Sequence, residues 1–174
     1  MRDTLVRLDP PLDRDRFLVQ LLGHFSNTLE DIVGLEEASG FFSVVGHKIG
    51  TEVERAYRAA LGGERLDPGQ FAEVMVDLTR RLGGDFFVIE QSDERLVLGG
   101  RRCPFGEGIV GHTSLCMMTS SVFGRFAAEN TGYGKVDVER AIAAGDPQCR
   151  VVVYLHRSPE AAEAPGREYF GDPP

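Results

Sequence analysis

The sequence predicts an α+β domain in which helices pack on antiparallel β-hairpins. Residues 13–82 keep a helical apolar period through three segments, each closed by glycine. At residue 86 the period changes to that of strands, in two short apolar runs around the polar turn Gln91-Ser92-Asp93-Glu94. A helix and a second hairpin then follow between residues 113 and 155.

The chain is read in order as follows. Residues 1–12 hold Asp9-Pro10-Pro11 and form an extended lead-in. Asp13 or Asp15 caps a first helix running to Val33, with Phe17, Leu18, Leu21, Leu22, Phe25, Leu29 and Ile32 at i, i+3, i+4 spacing. A second helix spans about 36–61, from Gly34 to Gly62-Gly63; its small residues Ala38, Gly40, Ser43 and Gly46 permit close helix approach. Asp67-Pro68 opens the third helix, with the aspartate as N-cap and proline in the first turn, and Phe71, Val74, Met75, Leu78 and Leu82 form its apolar face. Residues 86–90 and 95–98 make the first hairpin. Thr113 or Ser114 begins the fourth helix, which runs to Asn130. Residues 135–142 and 148–155 make the second hairpin around Gly145-Asp146-Pro147. Four prolines in 157–174 suggest a disordered tail, which leaves 13–156 as a single domain.

The chain has 174 residues and is 42% hydrophobic, ample for a core without disulfide staples. A net charge of −8 argues against direct nucleic-acid binding, which needs clustered Lys and Arg. No apolar run reaches the length of about 18 residues that a membrane span needs, and the N-terminus lacks the apolar core of a signal peptide. The expectation is a cytoplasmic protein, where its three cysteines stay reduced.

Those cysteines are the chemical signal. Cys103 lies in a turn, Cys116 one turn into a helix and Cys149 at the start of the last strand. Structural zinc takes four tetrahedral ligands from such turns and element ends. The fourth ligand has two candidates: His112, four residues before Cys116, and Glu139, on the strand paired with that of Cys149. Two other readings use the same atoms. The cysteines can be buried small hydrophobes, or Cys116, at a helix N-terminus, can be an activated thiol in a redox or gas sensor holding haem or an iron–sulfur cluster. The motif Gly106-Glu107-Gly108-Ile109-Val110-Gly111 matches G-x-G-x-x-G but follows no strand of a βαβ unit, so it reads as a connector between Cys103 and Cys116. Phe41, Val45, Phe123 and Phe126 are candidates to line an apolar ligand pocket between the helices.

The stretches CPFG, LCMMTSSVFGRFAAENTGYGKV and ERAIAAGDPQCRVVVYL resemble the methanogen output domain. More remotely they are similar to the 4-vinyl-reductase-type small-molecule-binding domains, which include the sensory domains of phenol-responsive activators and share a fold with vesicle-tethering TRAPP subunits. The resemblance implies a homodimer through the N-terminal helices, an apolar pocket between helices and sheet, and a structural zinc beside it. It carries the family's ligands onto Cys116, Glu139 and Cys149. Where the family has a further Cys, this chain has Ile142, and Cys103 can fill that place. The implied function is a stand-alone sensory or regulatory domain that binds a small apolar molecule or a regulatory protein partner to control transcription or signalling. A reductase-type enzyme is the alternative.

Overall fold

The computed structural model describes residues 13–63 and 65–171, so the expected lead-in at 1–12 lies outside it. Three helices come first: α1 (Arg14–Val33), α2 (Leu35–Ala60) and α3 (Pro68–Arg81). Asp13 caps α1 by accepting the Arg16 N–H, and Asp67 caps α3 in a reciprocal capping box with Gln70. Strands β1 (Asp85–Gln91) and β2 (Arg95–Arg102) form the first hairpin. After a loop with two short 3-10 turns, Glu107–Ile109 and Thr113–Leu115, come α4 (Cys116–Thr131), β3 (Tyr133–Arg140) and β4 (Cys149–Tyr154).

The chain does not end there. Residues 157–174, expected to be disordered, contain a short helix α5 (Pro159–Glu163) and a strand β5 (Arg167–Phe170). Strand β5 pairs antiparallel with β3, from Tyr133 opposite Phe170 to Val136 opposite Arg167. Ser158 caps α5 through the Ala161 N–H, and the Tyr169 side chain is buried, its hydroxyl bonded to Ser120 and Ser121 at 3.0 and 3.2 Å. This aromatic anchor and the strand ladder outweigh the disorder that the proline content suggests.

The five strands form one antiparallel sheet in the order β1-β2-β4-β3-β5. Helices α3 and α4 pack on the sheet, α3 over the β1 edge and α4 over β3 and β5. The main core between them is built on Phe71, Met75, Phe123, Phe126, Leu98 and Val153. Helix α2 lies on α4, with α1 outside it. Close approach of α2 to α4 depends on Gly46: a Cβ there would stand 2.7 Å from the Met118 carbonyl oxygen. Hydroxyl pairs Ser43–Ser121 (2.9 Å) and Ser26–Ser114 (2.8 Å) lace this layer together.

A second, smaller core joins Phe42 of α2, Ile109 and Leu115 of the loop, and Ala141 and Ala143 after β3; Leu29 of α1, Cys103 and Cys116 pack against it. The helix α1 reverses the expected orientation. Its apolar stripe, Phe17, Leu18, Leu21, Phe25 and Ile32, is largely exposed, and its fully buried residue is Ser26.

Candidate functional site

Three separate elements deliver the cysteines to one place. Strand β2 ends at Arg102, and the chain turns sharply at 103–106, where the Gly106 N–H donates to the Cys103 carbonyl. Cys116 is the first residue of α4, and Cys149 the first of β4, opposite Gly100 of β2. All three line a single small cavity of about 20 Å³, with Phe86, Phe105, Val138, Ala141 and Ala143 among its walls. That volume holds about one water-sized particle. Two of the sulfurs receive backbone N–H donors, Cys149 from Ile142 at 3.4 Å and Cys103 from Phe105.

Burial dominates the chemistry of these thiols. Desolvation pushes Cys103 up to about 11 and Cys116 up to about 12, with the neighbouring cysteines acting in the same direction; Cys149 is also raised, again by burial first. The expectation that the dipole of the fourth helix would activate Cys116 is therefore corrected. Its position at the start of α4 is as expected, but the desolvated thiol stays protonated.

Neither candidate fourth ligand joins the cavity. The Glu139 carboxylate accepts the Arg150 Nε–H at 2.5 Å in a half-exposed pair. A register shift in the β3–β4 ladder falls between Val138 and Arg140, leaving Glu139 without a cross-strand partner while Val138 reaches the cavity wall. His112 faces α1 instead, beside Val19, Gly23 and Asn27. Its i, i+4 spacing to Cys116 has no helical meaning, because α4 starts at Cys116 and His112 (φ −111°, ψ 57°) lies before the intervening 3-10 turn. Its buried Nδ1 has no hydrogen-bond partner. Among the described residues, no group of three or more Cys, His, Asp and Glu side chains stands ready to hold a metal ion.

The expected ligand-lining residues are divided between two environments. Phe123 and Phe126 are fully buried in the main core, Phe126 in an edge-to-face contact with Tyr57. Phe41 and Val45 are 57% and 43% exposed. They do not share a pocket. Helix α2 buries the stripe Ala38, Phe42, Gly46, Gly50, Glu54, which turns the adjacent stripe of Phe41, Val45 and Ile49 outward. Both N-terminal helices thus carry exposed large apolar side chains. An open groove of about 670 Å³, absent from the sequence reading, lies between α3 and β1, with Ala72, Val76, Phe86, Phe87 and Val88 on its walls. The run Phe86-Phe87-Val88, apolar on both faces of its strand, was its signal, but the edge position of β1 cannot be read from sequence.

The sequence model of methanogen output domain 1 matches residues 21–154. The chain belongs to that family. Two solved structures share its fold. The phenol-responsive sensory domain of the transcription activator PoxR, solved with phenol, has a TM-score of 0.59 and 17% identity, covering 83% of this chain and 78% of that one. Trafficking protein particle complex subunit 3 from Naegleria fowleri, covalently bound to palmitic acid, has a TM-score of 0.55 and 14% identity, covering 82% of this chain and 97% of that one. The α+β, TRAPP-like fold implied by the resemblance is thus the fold observed. No curated protein matches the chain. No helix among the described residues is long and apolar enough to cross a membrane.

Proposed function

We propose that this chain is a sensory or regulatory domain rather than an enzyme, and that its input is a small occupant of the cysteine-lined cavity. One observation carries the reading. The cavity stands between the two cores: Cys103 and Cys116 pack on the same cluster as Leu29 of α1 and Phe42 of α2, while Phe86 and Val151 of its wall belong to the main core, against which Cys149 also packs. A change in what fills the cavity repacks that cluster, because close-packed interiors pass strain on.

The output in this reading is the exposed face of α1 and α2. Phe17, Leu21, Phe25, Ile32, Phe41 and Val44 are all exposed on these two helices, and exposed apolar side chains gathered on neighbouring elements suit a protein–protein contact. Two copies pairing through it form a homodimer, which acts in the cytoplasm on a protein partner in transcription or signalling. A larger apolar molecule has a different candidate seat. The α3–β1 groove falls in the 300–1,000 Å³ range of small-molecule sites, whereas the cysteine cavity admits one small group.

The zinc implied by the resemblance fits this cavity incompletely. Three cysteines line one space, but among the described residues they do not form an ion-holding group of three, and no His, Asp or Glu joins them in the lining. No step of the reading depends on it.

Hydrogen–deuterium exchange on the full chain, before and after methylthiolation of the cavity thiols with methyl methanethiosulfonate, tests the coupling. Exchange is expected to change around residues 29 and 42 as well as in the loop. A change confined to residues 103–116 and 141–151 refutes it.

A further inference from the structure

We propose that the three-cysteine cavity captures a trivalent group-15 oxyacid, arsenite or antimonite, as a neutral three-thiolate adduct. The proposal deepens the sensory reading above and rests on it.

Cys103, Cys116 and Cys149 come from a turn, a helix start and a strand start, and all three line one small space. Glu139 is held by Arg150, and His112 faces α1. The lining therefore offers three sulfurs and, as its other polar side chain, the Thr119 hydroxyl, which is not one of the Cys, His or carboxylate ligands that zinc takes. Zinc prefers four ligands, whereas trivalent arsenic and antimony take three sulfurs and keep a lone pair where a fourth ligand would stand.

Charge balance gives the second argument. The cavity wall carries no charge: Phe86, Phe105, Val138, Ala141, Ala143 and Val151 are apolar, Thr119 adds a neutral hydroxyl, and no Lys, Arg or His lines it. A divalent ion on three thiolates leaves one negative charge buried among these groups, a costly state without a partner. The trivalent acid leaves none. In As(OH)3 + 3 Cys–SH → As(S–Cys)3 + 3 H2O, three As–O bonds break and three As–S bonds form. The thiol protons leave in water, and no atom is oxidised or reduced.

Size and positioning agree. At about 20 Å³ the space accepts one atom, not an organic ligand. The N–H groups of Ile142 and Phe105 already point at Cys149 and Cys103 sulfur, and they remain useful to sulfurs bearing partial negative charge. The thiols are not yet gathered as a coordination shell. Capture therefore requires the cysteine side chains to turn inward about their single torsions, each of which has three staggered positions. Because Cys103 and Cys116 pack on the cluster that holds Leu29 and Phe42, closure about these two sulfurs reaches α1 and α2.

The test uses the full chain, reduced with a phosphine, exposed to sodium arsenite and then desalted. The expected results are one arsenic per chain by native mass spectrometry, with a mass gain of one arsenic less three hydrogens, loss of all three titratable thiols, and three As–S contacts by X-ray absorption. Replacing any one cysteine with alanine weakens arsenite by about a hundredfold or more, since two captured thiols present the third at high effective concentration. Circular dichroism confirms that each variant is folded. Cys→Ser versions of the same variants provide a second check if an alanine variant fails to fold. A two-sulfur adduct, equal binding by the single variants, or purified protein holding one chelator-resistant zinc that blocks arsenite overturns the proposal. If arsenite does not bind while methylthiolation still alters exchange at residues 29 and 42, the ligand class is wrong and the sensory reading survives. If arsenite binds with no change at residues 29 and 42, the site stands and the sensory reading falls.

Discussion

Replacing Gly46 with alanine is expected to destabilise the protein even though alanine is the better helix former. A Cβ at Gly46 would lie 2.7 Å from the Met118 carbonyl oxygen, 2.9 Å from Met118 Cα and 2.9 Å from Ser121 Cβ. Two of these atoms are backbone and the third is a Cβ, so none can rotate away. Helix α2 must retreat from α4 by roughly half an ångström, and overpacking of this kind costs about 1–3 kcal/mol. Helix propensity returns close to 1 kcal/mol, which leaves a net loss of up to about 2 kcal/mol. For a chain of this size that corresponds to a fall in Tm of up to about 8 °C. Gly40, on the same helix, has nothing within 4 Å of its Cβ position, and Gly40→Ala should gain about 0.5–1 kcal/mol. Urea denaturation at one protein concentration, with the slope unchanged, compares the two. Equal stabilisation by both substitutions refutes the close α2–α4 contact on which the layer is built.

Three further outcomes are expected. Glu139→Gln breaks a half-exposed pair with Arg150, so it should cost less than about 1 kcal/mol in urea denaturation and leave arsenite uptake unaltered; a large loss of uptake places Glu139 at the cavity after all. The three raised thiols should react slowly with iodoacetamide at pH 8 and at full rate only in denaturant; fast labelling of native Cys116 contradicts its burial. Asp77 accepts hydrogen bonds from Arg81 (2.5 Å), Tyr57 (2.6 Å) and Arg80, and Arg81 contributes most to holding its carboxyl well below the usual range. A depressed carboxyl adds stability that is present at neutral pH and lost as pH falls through the folded value. Asp77→Asn should therefore lower stability at pH 7 and flatten the acid side of the stability curve; parallel curves for the two proteins exclude this contribution.

Most of the fold was legible because local signals and burial agree. Asp67-Pro68 gave the start of α3, and the switch from helical to alternating period gave β1. Residues 158–170 were misread because composition was weighed above pattern: Ser158-Pro159 is a helix start, and Tyr169 anchors a strand that touches Ser120 and Ser121, contacts visible only in three dimensions. Phe41 and Val45 failed as pocket residues because apolar periodicity marks a face without saying what covers it. On α1 and α2 the most apolar stripes turn outward. The meeting of the three cysteines was legible from the turn, helix start and strand start that carry them. Glu139 and His112 were not, since a register shift and a 3-10 turn changed the directions that simple spacing assigns.

The central claim is that the cysteine cavity and the α1–α2 face are coupled. Sedimentation of the full chain over a concentration series, with the cavity thiols free and methylthiolated, tests it most directly. The account predicts a dimer whose dissociation constant shifts on methylthiolation, and whose dimerisation is abolished by Phe41→Asp. A chain that stays monomeric throughout, or a dimer with the same dissociation constant in both states, contradicts it.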